Sequence, residues 1–183
     1  MNKFEEIWKL KPKGLSKVYV YNKDTKVHEE KQIYRSYRSY LNIPPFNKAL
    51  PKSYMYDGLE PSIPNVLMYY IKDAWHENHK YNQLIVNWYN PEDYIQPHRD
   101  CDHYMVDDYE ILIYSLNEDP NMFRKLKFHK LNGDFHSSLD LDGPIIIGQR
   151  ANQNYRHSVG PGGGKRISLA FRMLDEEKIR KDN

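Results

Sequence analysis

The sequence predicts an α+β fold in which short antiparallel strands close into a barrel or jelly roll and one helix packs on the outside. Three observations carry this. After residue 82 the chain runs as short strand-like segments, "QLIVNWY", "YEILIYSL", "KLKFHK", "GPIIIG" and "RISLAFRML". These are parted by the turn signals "NEDP", "NGD" and "PGGG", with no helical segment between them. One amphipathic helix, clearly patterned, precedes them all.

The elements follow in order. Residues 1–10 read as a short amphipathic helix, and "KVYVYN" (17–22) alternates as a strand does. "IYRSYRSYL" (33–41) places Tyr34, Tyr37 and Tyr40 three apart, a period that suits a helical turn or an irregular aromatic loop better than a strand. In "SIPNVLMYYIKDAWHENHK" (62–80), Ser62 is the candidate N-cap and Pro64 falls in the first turn. Ile63, Val66, Leu67, Tyr70, Ile71 and Trp75 then share one face, which needs a sheet to pack against. The first third is too short and loop-rich to form a core of its own, so a single domain over 1–183 is expected.

Composition narrows the setting. A chain of 183 residues with 39% hydrophobic content can bury a real core. Cys101 is the sole cysteine, which excludes a disulfide framework and favours a reducing, intracellular location, cytoplasmic or nuclear. No apolar run approaches the ~20 residues of a membrane span, and "MNKFEEIWKL" lacks the apolar stretch of a secretory signal. The net charge of +2 is uneven: +6 over residues 1–50, −1 over 51–82 and −3 over 83–183. A basic first third is compatible with a phosphate-bearing partner, and equally with a solvated lysine-rich surface.

The chemistry gathers in "NWYNPEDYIQPHRD" (87–100). On a strand, His98 and Asp100 share a face, while Pro97, Arg99 and Cys101 point away. The pair is either an ordinary strand edge or two adjacent metal ligands, with His157 as the candidate third. Two histidines and a carboxylate on one side of a metal form the facial triad of non-haem Fe(II) oxygenases, which leaves three cis positions open for a chelating 2-oxoacid and O₂. In "KRISLAFRML", Arg166, Ser168 and Arg172 share one strand face, and Ile167, Leu169 and Phe171 share the other. Two arginines on an inward face need anions, and Asp140 or Asp142 are the structural alternatives. Six residues of strand separate the two Cα atoms by ~20 Å, leaving roughly 8 Å between inward-reaching arms, comparable to a five-carbon dicarboxylate.

Three motifs in this order resemble the AlkB-like family of Fe(II)/2-oxoglutarate dioxygenases. "NWYNPEDYIQPHRD" resembles its N-x-Y…H-x-D block, "NYRHSVGP" its distal-histidine segment and "RISLAFR" its closing strand. More loosely, "RSYRSYLN" and "YMYDGLEPSIPNVL" are similar to its nucleotide-recognition lid and the segment after it, so the likeness covers roughly 33–174.

The resemblance implies a double-stranded β-helix over 83–174, a supporting helix over 61–82, and an N-terminal extension and loop-rich lid over 1–60. It implies Fe(II) on His98, Asp100 and His157, with O₂ and the cosubstrate 2-oxoglutarate. Asn87, Tyr89, Arg166, Ser168 and Arg172 would hold the cosubstrate, with Arg166 on its distal carboxylate. It further implies oxidative demethylation of N-alkylated bases in DNA or RNA, releasing formaldehyde, succinate and CO₂. The alternative within the family is action on a protein or small molecule. The expected partner is nucleic acid, engaged by a monomer with no membrane association. Arg35 and Arg38 would meet phosphates, and Tyr34, Tyr37, Tyr40, Tyr54 and Tyr56 would stack on bases. Asp102 falls where family members carry an acid near the base, and it also reads as a solvated turn acid. His103 stands where a further acid is common. It could extend the motif to H-x-D-x-x-H, but as a ligand it would fill a position the chemistry needs open. "PEDY" replaces a small residue near the start of the first block, and the lid lacks its usual P-R start.

Overall fold

The computed structural model describes residues 2–22, 25–41 and 63–181. Eight strands build the core: β4 (Gln83–Tyr89), β5 (Ile95–His98), β6 (Glu110–Asn117), β7 (Lys125–Lys130), β8 (Phe135–Asp140), β9 (Ile145–Gly148), β10 (Tyr155–Val159) and β11 (Arg166–Arg172). The larger sheet runs β3-β4-β11-β6-β9, its edge supplied by β3 (Ser36–Leu41), and the smaller runs β5-β10-β7-β8. All the pairings are antiparallel. The chain crosses repeatedly from one sheet to the other, which makes this a double-stranded β-helix, as expected. A separate hairpin joins β1 (Lys17–Asn22) to β2 (Val27–Gln32).

Alternation along β4 and β11 sorts the larger sheet. Leu84, Val86 and Trp88 face outward with Ile167, Leu169 and Phe171, all buried. Two helices cover that outer face: α1 (Lys3–Trp8), capped by Asn2, and α2 (Met68–Glu77), entered through a 3₁₀ turn at Asn65–Leu67. Leu67, Ile71 and Ala74 of this segment are buried as its pattern requires. Two polar ties fix the layers: Trp88 Nε1 donates to Ile7 O at 3.0 Å, and Tyr114 Oη donates to Asp73 at 2.6 Å. The inner face carries Ile85, Asn87 and Tyr89 opposite Arg166, Ser168, Ala170 and Arg172.

Segment 33–41 departs from its predicted helical turn or loop. It enters strand β3, pairing Tyr37 with Asn87 and Tyr40 with Leu84. The edge of β4 offers a ladder of backbone partners, and that overrides a spacing of three. On a strand such a spacing sends Tyr37 and Tyr40 to opposite faces. The main helix is shorter than the predicted 62–80, and Ser62 lies outside the described residues. Pro64 occupies the N-cap position of the 3₁₀ turn, with no side-chain hydrogen bond there. Strands β2, β8 and β10 and the helices α3 (Gln149–Asn154) and α4 (Glu176–Lys181) carry no strong period in the sequence. No helix among the described residues is long and apolar enough to cross a membrane.

The "PEDY" loop is tied down by a buried cation. Asp93 Oδ2 accepts from Asn90 N at 2.7 Å and from Asn90 Nδ2 at 3.0 Å, closing the turn. Arg124, 4% exposed, donates to Asp93 O and Asn90 O at 2.6 Å each, and to Gly160 O and Gly164 O at 3.3 Å each. One guanidinium thus joins the loop after β4 to the loop between β10 and β11. Arg124→Met should lower unfolding stability by about 2–4 kcal/mol, because it strips buried carbonyls of a charged donor while keeping most of the volume. Urea denaturation measures this, and a loss under ~0.5 kcal/mol would contradict the clip.

Candidate active site

The space between the two sheets is a cavity of about 1090 Å³, at the upper end of small-molecule sites. His98 ends β5, His157 lies in β10, and the two are paired residues across that ladder. Their rings stand 4.3 Å apart. Asp100 lies two residues past the end of β5, yet His157 Nε2 is 3.5 Å and His98 Nε2 3.8 Å from its carboxylate oxygens. One ligand atom from each of the three falls within 4.8 Å of the others, and among the described residues this is the one such cluster. His103 is outside it, edge-on to the Tyr104 ring with centroids 4.5 Å apart.

His98 and Asp100 do not share a strand as expected, since β5 stops at His98, yet the fold brings the two side chains together. Asn152, in α3 and 1% exposed, does the placing. Its Oδ1 accepts from Asp100 N at 2.9 Å, and its Nδ2 donates to Asp100 O at 3.0 Å and to Tyr109 Oη at 2.7 Å. The Asp100 carboxylate in turn accepts from Arg172. Nothing in "QRANQN" marks Asn152 as special; only the folded geometry finds it.

The protonation states suit a divalent metal. Burial, with the neighbouring His157, pushes His98 down to about 4 against the opposing pull of Asp100. Burial likewise lowers His157. For Asp100, burial works to raise the pKa, but the positive charges led by Arg172 overcome it and hold the carboxyl at about 2. Near neutral pH the set is therefore two neutral imidazoles and one carboxylate, the donor set of a facial triad. His98 Nδ1 lies 2.9 Å from Gln96 O, a bond that leaves Nε2 as the free electron pair facing Asp100.

The same cavity holds a buried arginine with open donors. Arg166 is 2% exposed and its Nη2 donates to Ser115 at 3.0 Å, while Nε and Nη1 are buried without a hydrogen-bond partner among the described residues. Burial disfavours its charge, so an anion is owed there. Tyr89 pairs with it across the sheet, ring to guanidinium at 5.1 Å, and Asn87 pairs with Ser168. Asp140, the structural alternative, is taken by Lys125 at 2.8 Å. The residues fit iron and 2-oxoglutarate.

The expected substrate residues divide. Arg35 and Tyr37 are on the cavity wall, although Tyr37 Oη is spent on Lys17 O at 2.7 Å. Tyr34 is there too, stacked on Tyr94 of "PEDY" with centroids 4.6 Å apart. Arg38 and Tyr40 are not: they lie on the other face of β3, with Tyr40 packed towards Ile71 and Trp75. Asp102 is also off the wall, its Oδ2 accepting from Tyr109 Oη at 3.2 Å and Gln153 Nε2 at 3.3 Å. Tyr54 and Tyr56 lie outside the described residues.

No protein-family model and no curated protein matches the chain. Among solved structures, a prolyl-4-hydroxylase from Pseudomonas putida is similar over 64% of this chain and 68% of its own, at 16% identity and a TM-score of 0.44. Neither activity nor substrate follows from that likeness.

Two outcomes test the site. Asn152→Ala should weaken Co(II) or Mn(II) binding by about 10–100-fold in calorimetry, as loss of a residue supporting a ligand does; Gln153→Ala should leave it unchanged. Unaltered affinity in the Asn152 variant would remove its positioning role. In the metal-free protein, folding stability should fall as pH drops from about 6.5 towards 4. Over that range the unfolded chain takes up protons at His98 that the folded chain refuses until about 4. His98→Gln should flatten that slope in denaturation curves.

Proposed function

We propose that the chain is an Fe(II)- and 2-oxoglutarate-dependent dioxygenase. The observation that carries this is a two-histidine, one-carboxylate cluster sharing a cavity with a buried arginine whose Nε and Nη1 lack partners among the described residues. The order and spacing of the motifs, which resemble those of the AlkB-like dioxygenases, support the same reading. When bound, iron(II) with 2-oxoglutarate and O₂ supplies oxidative decarboxylation, giving succinate and CO₂ and placing one oxygen atom into a substrate C–H bond. Hydroxylation of an N-methyl group releases formaldehyde; at other carbons the alcohol persists.

The protein's own residues do the rest. His98, Asp100 and His157 would hold the metal on one side. Arg166, with Tyr89 against its guanidinium, would seat the distal carboxylate. Asn87 and Ser168, side by side on neighbouring strands, would offer polar groups to the body of the cosubstrate. Arg172 keeps Asp100 ionised and oriented. The apolar floor, including Ile85, Ile113 and Val159, limits water around the reacting centre.

Two finer readings share this chemistry. N-demethylation of nucleic-acid bases draws on the motif resemblance, the basic first third and the Tyr34–Tyr94 stack. Action on a small molecule or protein is favoured by one observation: Arg38, Tyr40 and Asp102, expected at a nucleotide, do not reach the cavity. The deciding experiment supplies Fe(II) and 2-oxoglutarate, then screens methylated oligonucleotides, peptides and small acids for succinate. Formaldehyde is assayed in parallel. Succinate stimulated by methylated oligonucleotides with matching formaldehyde supports the first reading; succinate without formaldehyde supports hydroxylation. No succinate under any condition would sink the dioxygenase assignment. Arg166→Ala should raise the 2-oxoglutarate half-saturation by at least about tenfold, and an unchanged value would remove it from the cosubstrate site.

A further inference from the structure

We propose that the prime substrate is a small molecule bearing an oxyanion, a carboxylate or phosphate, and that Arg35 seats this group inside the cavity. The proposal rests on the dioxygenase reading and names its substrate class.

Arg35 was expected on an outer lid, meeting a nucleic-acid backbone. It instead lines the same cavity as His98 and Asp100. Its backbone is fixed where Arg35 O accepts from Ser16 N at 2.9 Å. Its Nε donates to Asn87 Oδ1 at 2.8 Å, which sets the plane of the guanidinium. No hydrogen bond or ion pair of its Nη1 or Nη2 is found among the described residues. Arg35 is close enough to the centre that its charge acts on His98, Asp100 and His157 alike.

The charges of the wall leave Arg35 without a counterpart. Asp100 offsets Arg172. A dicarboxylate cosubstrate would offset Arg166 and part of the metal's charge. Asp100 is the one acidic side chain lining the cavity among the described residues, so no acid remains to balance Arg35, nor Lys31 and Arg99, which also line it; of these three, Arg35 is the one held against Asn87. An arginine fork with both terminal amines open matches a carboxylate or phosphate face-on.

Location separates this from a polymer substrate. When a base is flipped into a pocket, its phosphates stay on the strand outside. A cation beside the metal ligands is placed for an anion that enters with the reacting carbon. The cavity, about 1090 Å³, has room for a cosubstrate and a second small acid.

The test is calorimetric and does not depend on turnover. Protein loaded with Zn(II) and saturated with 2-oxoglutarate is titrated with acetate and, separately, with inorganic phosphate; both titrations are repeated on metal-free protein. At least one anion should bind one-to-one with an affinity on the order of 1–10 mM. Arg35→Gln should weaken it at least about tenfold, and Arg35→Lys, which keeps the charge, by no more than about threefold. The affinity for 2-oxoglutarate should change less than about twofold in both variants. A preference for acetate identifies a carboxylic acid, and a preference for phosphate identifies a phosphate ester. The metal-free arm separates binding at Arg35 from binding to the metal itself. Absence of binding by either anion, or equal binding in Arg35→Gln, overturns the proposal. A 2-oxoglutarate affinity that falls with Arg35→Gln also overturns it, because Arg35 then belongs to the cosubstrate. If wild-type protein fails to take Zn(II) or 2-oxoglutarate but keeps an Arg35-dependent anion site, the dioxygenase reading falls and the anion site stands.

Discussion

A carboxylate has to stay ionised between two imidazoles in a place where burial works against it, and most of the site's architecture answers to that constraint. Asp100 is past the end of β5 and has no ladder to hold it. Its charge is kept by Arg172 at the far end of β11, and its backbone is held on both sides by one amide, Asn152. β5, α3 and β11 come from three separate stretches of chain and two different sheets. The ligand set is therefore complete only when the sandwich is closed. Asn152 also links Asp100 to Tyr109, so the same amide ties the ligand to the start of β6. A buried charge held this way contributes little to stability by itself, since its desolvation offsets much of the Coulombic gain. What it provides is a fixed position.

The two central strands show how the fold bears that cost. β4 and β11 are buried along their whole length, but each has two characters. The outward residues, with Trp88, Ile167 and Leu169 fully covered, pack under α1 and α2 as an ordinary apolar core. The inward residues at 87, 89, 166, 168 and 172 are polar and would weaken a core built for stability alone. A register slip of one residue would put both arginines beneath the helices and the leucines in the cavity. The apolar outer face therefore fixes the register, and the register delivers the polar inner set to the site.

This explains what the sequence made legible. Period-two alternation is local, so the faces of "QLIVNWY" and "RISLAFR" could be read directly, and the jelly roll followed from short strands punctuated by turns. His98, Asp100 and His157 were legible as residue types in ordered motifs, although the strand geometry invoked for Asp100 does not hold. What depends on long-range pairing was hidden. Tyr34, Tyr37 and Tyr40 look like one aromatic set when spaced by three, but pairing with β4 makes a strand of Ser36–Leu41 that sends Tyr37 and Tyr40 to opposite faces, with Tyr34 before it. Asp102 looked available because its partners, Tyr109 and Gln153, are far off in sequence or carry no motif. Asn152 is one asparagine among several in a short helix, and only the fold gives it a role.

The "PEDY" loop, where the sequence departs from the AlkB-like motifs it resembles, belongs to the same hidden class. Its sequence reads as a turn, and Asp93 does close one. The Arg124 clip turns that exposed-looking loop into a fixed part of the wall by holding Asn90 and Asp93 carbonyls against the loop before β11. Tyr94 then follows the last clipped residue and meets Tyr34, and Tyr94 N donates to Tyr34 O at 3.1 Å. Arg35 is the next residue along. The chain of contacts thus runs from a buried cation through this loop and an aromatic pair to Arg35, a cavity-lining arginine with no acidic partner among the described residues. Loops on a rigid scaffold are where related enzymes change substrates. Here the scaffold holds the His98–Asp100–His157 cluster and Arg166, while a clipped loop and the segment entering β3 line the approach to it.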